Sequence, residues 1–496
     1  MTVARVIAGV AFLLVTAVAA VALQQLVRAR ADAARVRDVA ALAIAEQSAD
    51  PTLRVALLRE VGEPAPPGWS EAAARALHEP VADAVLAGHS AEVVAVAFSP
   101  DGTRVLTGSN DHTARLWSAD GAGQVVVLRG HVGAVTSVAF SSDGRRVATG
   151  SADGTARVWR IDPPRQAAGP AGPSDDPVVL SGHRAEVVAV AFSPRGDRLL
   201  TRSWDYTARV WPADGVGAAV ELAGEFPAVT SAAFSPDGTR VATASWDLLG
   251  RVWNADGSGR PIELRGHALA VTSVAFSPDG GEVVTGSDDD TARVWRADGS
   301  GQPVVLAGHD AEVVAVAFSS DGRRLLTRSW DHTARVWRAD GAERPIELGG
   351  PRAEIVSAAF SPDGTRVVAG LEDGRVRVWS AERVASPVEY KGHAARVGAV
   401  AFSPDGGRIA SASDDGTTRV WRVHGRGVDD VDGPSEARDA GPPDLRARLW
   451  QKTPFCLSAE ARERLLGQAS EEARRATRDC DMRVARCRSN AGPCGP

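Results

Sequence analysis

The residues with chemical potential in this chain come in sets. His89, Ser109 and Asp111 precede Trp117 at spacings that invite a hydrolytic reading, with His as base, Ser as nucleophile and Asp as orienting carboxylate. The same quartet returns as His131, Ser151, Asp153, Trp159, and as His183, Ser203, Asp205, Trp211. It returns again as His267, Ser287, Asp289, Trp295, as His309, Ser329, Asp331, Trp337, and as His393, Ser413, Asp415, Trp421. Catalysis needs one constellation beside a pocket with oxyanion donors, whereas six identical copies are what a scaffold needs. Repetition therefore assigns the quartets to structure, and no residue is assigned to catalysis. Two further units depart from the pattern. The fourth has Glu225 where His is expected, and the seventh has Pro351 and Leu371 in place of His and Ser. These units are expected to be the least rigid.

The quartets ride on a longer period. Phe98, Phe140, Phe192, Phe234, Phe276, Phe318, Phe360 and Phe402 each precede a tryptophan by 19 residues. Successive tryptophans are 42 residues apart, except Trp159 to Trp211, where the Pro/Gly/Ala stretch IDPPRQAAGPAGPSDD adds ten in a loop composition. Within a unit, an apolar run such as VVAVAFS meets a tight SPDG turn, then TRVLTGS, an Asp-bearing turn, TARLW, and a short VVVL or PIEL run. Four strands per period fit one twisted blade, which cannot bury both its faces and must stack on copies of itself around an axis. The expected fold is an all-β propeller of eight four-stranded blades, with seven blades plus one extra unit as the alternative.

Gly-His, an apolar strand ending in Phe, SPDG and S-x-D-x-T-x-R-V-W together resemble the WD40 repeat family over about 340 residues. Two departures stand out: the family's Trp-Asp is here Trp followed by Ser, Arg, Pro or Asn, and most members close with seven blades. The resemblance implies that each quartet is a buried network in which Asp binds His, His binds Ser, and Ser reaches the indole N–H. It also implies that the Asp turn and the loop before the first strand share one rim, with the residue preceding Asp projecting from it. Those residues are Asn110, Ala152, Trp204, Trp246, Asp288, Trp330, Glu372 and Asp414. Glu92, Glu186, Glu312, Glu354 and Arg396 line the mouth of the same rim, six before the Phe of their units. Tryptophan is enriched in binding hot spots, so Trp204, Trp246 and Trp330 are the candidate anchors, with the acidic residues beside them, for a basic or amine-bearing peptide. Arg202 and Arg328 offer the alternative of stacking on the indoles and neutralising the glutamates. The plain counter-reading is that each Trp packs on its neighbouring blade and each Glu is solvated.

Ring closure is legible at the ends. Asp83-Ala84-Val85-Leu86 matches the outer strand of a unit, and no such strand follows Trp421, so the first strand is expected to complete the last blade. The domain reading is 1–27 anchor, 28–82 helical stalk, 83–423 propeller, 424–443 linker and 444–496 helical Cys-containing tail. Val6 to Leu23 is an uncharged run of 18 residues, the lower length for a spanning helix, and Ala20-Val21-Ala22 offers the alternative of a cleaved signal peptide. Arg28, Arg30, Arg35 and Arg37 after the run, against Arg5 before it, favour a cytoplasmic propeller. The A-x-A pattern and a tail holding Cys456, Cys480, Cys487 and Cys494 pull the other way. These thiols fit either disulfides or reduced cysteines, and their spacing matches no compact zinc pattern. Asp50-Pro51 and Ser70 are read as helix starts, and the tail as two helices broken at Thr453-Pro454 with Ser458 as a cap.

A net charge of −6 argues against nucleic acid as a partner. No cofactor or metal is implied, and neither a phosphate-binding loop nor a kinase signature occurs. The tail resembles the ends of bacterial WD40 proteins whose propeller follows an NTPase or kinase domain, so such an effector would be a separate chain. The function expected is a membrane-associated, non-catalytic interaction scaffold, with a ligand or stress sensor as the alternative and an enzyme as the reading least supported.

Overall fold

In the computed structural model each period becomes one antiparallel sheet. The structure describes residues 25, 28–29, 32–161, 176–224, 228–349, 354–423, 445, 448–450, 452 and 455–488. Two units result, Pro80–Val431 and a second formed from Met1–Glu79 with Asp432–Pro496.

The first unit holds eight four-stranded sheets, so the seven-plus-one alternative is set aside. In the first blade Val93–Phe98, Arg104–Ser109, Ala114–Ser118 and Val126–Leu128 run from the innermost to the outermost strand. Turn chemistry sets the reversals. Ser99 Oγ donates to Asp101 and accepts from the Arg104 N–H at 2.9 Å, while Gly102 supplies the left-handed step (φ 69°) that tightens the turn. The last blade is built from Val397–Phe402, Arg408–Ser413, Thr417–Arg422 and, as its outer strand, Ala82–Ala87. Ala84 faces Val420 and Leu86 faces Thr418, so the start of the propeller pairs with its end, as the sequence suggested.

The core lies between blades, because each sheet hides its apolar side chains against the next. Leu106, Leu116 and Leu128 of the first blade pack on Val135, Val147 and Trp159 of the second. The closing junction repeats that chemistry: Leu86, Ala410 and Val420 pack on Val105 and Trp117. Each fully buried Val or Leu contributes about 1.5–3 kcal/mol, and here that burial exists only when a neighbour is present. Arginines reinforce the junctions at the SPDG end. Arg104 donates to the Gly144 carbonyl at 2.9 Å, and Arg408 to the Gly102 carbonyl at 2.7 Å across the closure.

The second unit is helical and joins what the sequence separated into stalk and tail. Its helices include 32–47, Pro51–Glu60, Trp69–His78, Ala459–Leu466 and Ser470–Arg488. Asp50 caps the second helix through the Thr52 N–H at 2.9 Å, and Ser458 caps the fourth through Ala461 N–H at 3.1 Å. Ser70 is not a cap: Gly68 precedes the third helix, whose first residue, Trp69, is buried and donates its indole N–H to the Leu58 carbonyl at 2.9 Å. Nor is the tail only two helices, since Gly467 in the left-handed conformation (φ 61°) stops one before Ser470 begins the next. Arg462 is 1% exposed and makes a two-pronged pair with Glu60, Nη2 reaching Oε1 at 2.8 Å. A Cys456–Cys480 disulfide closes the same cluster, with Cα atoms 6.0 Å apart, and resolves the reading of those two thiols as bonded.

The apolar run at 6–23, the linker at 424–443 and Cys494 lie outside the described residues. Among the described residues no helix is long and apolar enough to cross a membrane.

Candidate functional site

The quartets are buried, and their wiring differs from the sequence expectation in one member. His89 Nδ1 lies 2.8 Å from Asp111 Oδ2, as foreseen. Its Nε2 meets Thr107 Oγ1 at 2.8 Å, and the Trp117 indole N–H donates to that same oxygen at 2.9 Å. The hydroxyl between His and Trp therefore belongs to Thr107, in the second strand, and not to Ser109. Ser109 Oγ instead accepts the Asp111 N–H at 3.1 Å and donates to the Ala91 carbonyl at 3.2 Å. The reason is cross-strand register: Thr107 and Ser109 share a face of their strand, but Val105 is the residue opposite Trp117, so Thr107 is the hydroxyl diagonal to the indole, whereas Ser109 lies a further two residues on, at the turn.

The same correction applies to Ser151, Ser203, Ser287, Ser329 and Ser413, whose relay places are held by Thr149, Thr201, Thr285, Thr327 and Ser411. Across the six blades the His–hydroxyl distance is 2.7–2.8 Å and the Trp–hydroxyl distance 2.8–3.0 Å. A signal was present in the sequence, since the seventh unit, which loses His and Ser, also carries Ala369 at the Thr position.

Proton placement follows from electrostatics. Burial pushes the His89 imidazole below its ordinary value, so it is neutral at pH 7. Burial opposes ionisation of Asp111, but hydrogen bonds from Thr113, His89 and the Ser90 N–H outweigh it and hold the carboxyl well below the usual range. A neutral imidazole beside a carboxylate donates from Nδ1, so Nε2 accepts from Thr107 O–H, whose oxygen accepts from the indole. Every group is satisfied in one direction. Both imidazole nitrogens are occupied, and neither contacts Ser109 to activate it as a nucleophile.

The fourth and seventh blades solve the turn differently. Glu225 and Pro351 lie outside the described residues. In the fourth blade Arg251 occupies the turn carboxylate, reaching Asp247 at 3.1 and 2.6 Å, while Trp253 keeps its Thr243 partner at 2.8 Å. In the seventh, the N–H of Arg375 donates to Asp373 at 3.1 Å. The residue after each turn Asp is left-handed in all eight blades; Gly154, Gly374 and Gly416 adopt this freely, whereas Leu248 (φ 71°) does so under strain.

These clamps hold the rim. In every blade the residue before Asp donates its backbone N–H to the carbonyl of the residue six before Phe, as in Trp204 to Glu186 at 2.9 Å and Trp330 to Glu312 at 3.0 Å. The two sets named from sequence are thus brought together pairwise. Trp204, Trp246 and Trp330 remain 49%, 48% and 58% exposed, too open for core packing residues. Arg202 lies over the Trp204 ring with its Cζ 5.1 Å from the centroid, while Trp246 packs on Tyr206 of the preceding blade at 4.8 Å. Some rim charges are already spent. Glu92 accepts from Asn110 at 2.7 Å, and Arg396 pairs with Glu372 at 3.0 Å and lies 3.7 Å from Asp414. Glu186, Glu312 and Glu354 are exposed. Glu312 adds its charge to burial in raising the Asp288 carboxyl, so acid groups of the fifth and sixth blades face each other. A polar hollow bounded by Arg195, Arg198, Asp237 and Asp256 lies at the SPDG end, away from the histidines.

A ring of eight such clamps defines a propeller that presents one rim of fixed loops. Comparison with known families agrees: a model described as "WD domain, G-beta repeat" matches residues 82–118, 123–160, 177–212, 221–254, 260–296, 302–338, 344–380 and 386–422. The chain belongs to this WD40 repeat family. Among solved structures it is similar to the computationally designed Ika8 protein, at 29% identity and TM-score 0.57 over 69% of this chain and 99% of that one. It is also similar to Chaetomium thermophilum Sqt1 bound to the N-terminus of the ribosomal protein L10, at 21% identity and TM-score 0.61 over 70% and 100%. The C-terminal WD40 domain of Sif2 aligns at 19% identity and TM-score 0.59 over 70% and 99%. Comparison with curated proteins returns no significant match.

Proposed function

We propose that this chain is a non-catalytic scaffold that docks a protein segment on the rim bearing Trp204, Trp246 and Trp330. The observation that carries the reading is the set of three half-exposed tryptophans at equivalent positions, held by rigid turns. Aromatic side chains kept out of the core at such positions act as anchors, and their stiffness lowers the cost of ordering on binding. The repeated His–Asp pairs support the absence of catalysis, because each is consumed in holding a turn. Sqt1, which shares the fold, engages the N-terminus of a ribosomal protein, an example of a propeller gripping a protein segment. The acid-flanked corner formed by Trp330, Glu312 and Asp288 suits a lysine or arginine of such a segment.

The apolar run at 6–23 is proposed to tether the scaffold to a membrane, with the arginines after it favouring a cytoplasmic propeller. One observation favours the opposite side: the Cys456–Cys480 disulfide belongs to an oxidising compartment. Thiol alkylation before and after reduction, on protein taken directly from cells, separates the two. The docking reading is tested by changing all three tryptophans to Ala and comparing the proteins captured. A folded triple variant that captures the same set as the parent overturns it.

A further inference from the structure

Position 202 and its equivalents lie on the second strand, one residue before the turn serine, and the blades differ there in a patterned way. Six carry Gly108, Gly150, Ala244, Gly286, Gly370 and Ala412. The third and sixth carry Arg202 and Arg328. A side chain at this position points at the next blade: a Cβ placed on Gly108 would meet Val135 and Val138, and one on Gly286 would meet Val313 and Val316. Arg202 has the same register, facing Ala189 as Gly108 faces Ala95. The facing residue two before Phe is valine in six blades and alanine in two, Ala232 and Ala358. Those are the neighbours of Arg202 and Arg328. Each arginine therefore has a slot cut for it between blades, twice over and three blades apart.

A cation placed in such a slot loses water and needs a counter-charge. Among the described residues neither guanidinium has an ion pair or a hydrogen bond; Arg202 has only the Trp204 ring, and Glu186 does not pair with it. Burial holds Arg202 down to about 10, and burial with the nearby positive charge of Arg396 lowers Arg328 as well. Arg396 differs from both, since Glu372 and Asp414 neutralise it. The two slots share a third feature, a half-exposed Trp two residues on, and in the third blade that ring lies against the guanidinium of Arg202.

We infer that the slots behind Trp204 and Trp330 are a matched pair of carboxylate sites, taking acidic side chains of the protein segment that docks on the rim. The inference rests on the docking reading above and adds the charge of the partner at two points. A segment carrying acids at both points gains from linked binding, and basic residues between them meet the acid-flanked corner at Trp330.

The chain itself supplies the control. Arg202→Gly with Ala232→Val, and Arg328→Gly with Ala358→Val, rebuild the junction that Gly108 and Val138 make, so the fold should be kept. The full-length protein is titrated with a fluorescein-labelled tetraglutamate peptide, with a tetralysine peptide and with inorganic phosphate. Tetraglutamate should bind and quench indole fluorescence, and the quadruple variant should weaken it at least tenfold at an unchanged or higher melting temperature. Equal binding by the variant, or phosphate binding as tightly as the peptide at the same arginines, overturns the carboxylate assignment. A melting temperature several degrees lower in the variant also overturns it, because the arginines would then be props. If the tryptophan variant loses its captured protein and the arginine variant keeps it, the rim stands and this inference falls.

Discussion

Replacing Thr107 by Val removes one oxygen and leaves the side chain's shape nearly intact. That oxygen accepts the Trp117 indole N–H at 2.9 Å and meets His89 Nε2 at 2.8 Å, so the change strands two buried groups at once. Each stranded group costs about 1–3 kcal/mol, and no water can replace the hydroxyl where Thr107 is wholly buried. A loss of about 2–4 kcal/mol is expected for Thr107→Val. Thr107→Ser, which copies the eighth blade's Ser411, should cost only the lost methyl, about 0.5–1 kcal/mol. Equilibrium urea unfolding of the full chain gives the energies, and a nitrogen-15 spectrum of the indole N–H groups gives the wiring. Thr107→Val should move the Trp117 indole signal, whereas Ser109→Ala should leave it in place. A Val variant as stable as the Ser variant, or an indole that responds to Ser109 and not to Thr107, would refute the relay.

The remaining expectations concern pH, strain and closure. Five relay histidines, His89, His131, His183, His267 and His309, have folded pKa values lowered by burial from 6.5, so their contribution is present above pH 6.5 and is lost as pH falls through the lower folded values. The carboxylates add a second loss below their ordinary 3.8, running down to about 2 for Asp153, Asp289 and Asp331. Melting temperature should thus be flat above pH 7 and fall in two stages below it; a flat profile from pH 7 to pH 5 rejects neutral imidazoles. Leu248→Gly relieves a left-handed leucine that is 40% exposed and should stabilise by about 1 kcal/mol in a denaturant titration, with a loss of stability counting against the strain. Deleting residues 82–87 removes the strand that pairs with Thr417–Arg422 and should leave an open, aggregation-prone ring. Unchanged melting and a monodisperse profile in light scattering would show that closure lies elsewhere.

Much of the propeller was legible because a repeat states its own register. The spacing of Phe98 to Trp117, copied along the chain, locates strands and turns without any tertiary contact. The match of Asp83–Leu86 to an outer strand predicts the closure that Ala84 and Val420 then make. Rim neighbours were legible for the same reason, since Trp204 and Glu186 hold equivalent places in every unit. The Thr107 relay was not read correctly, because sequence spacing gives neighbours along a strand, while these hydrogen bonds run across strands and depend on the register that sets Thr107, and not Ser109 on the same face, beside Trp117. The union of the stalk and tail helices was also hidden. Glu60 and Arg462 are 402 residues apart, and nothing local marks them as partners.

The sequence by itself determined the repeating unit, the turn chemistry and the equivalent places of Trp204, Trp246 and Trp330 in their units, since these depend on one short period that recurs. Only the tertiary structure decided that all eight units close as blades, which hydroxyl links His to Trp, which side chains hold the turn where His is missing, and that among the described residues Arg202 and Arg328 stand in slots without counter-charges. Those outcomes depend on one blade meeting the next, or on segments hundreds of residues apart coming together, and burial at such junctions is a property of the assembled molecule and of no single stretch of chain.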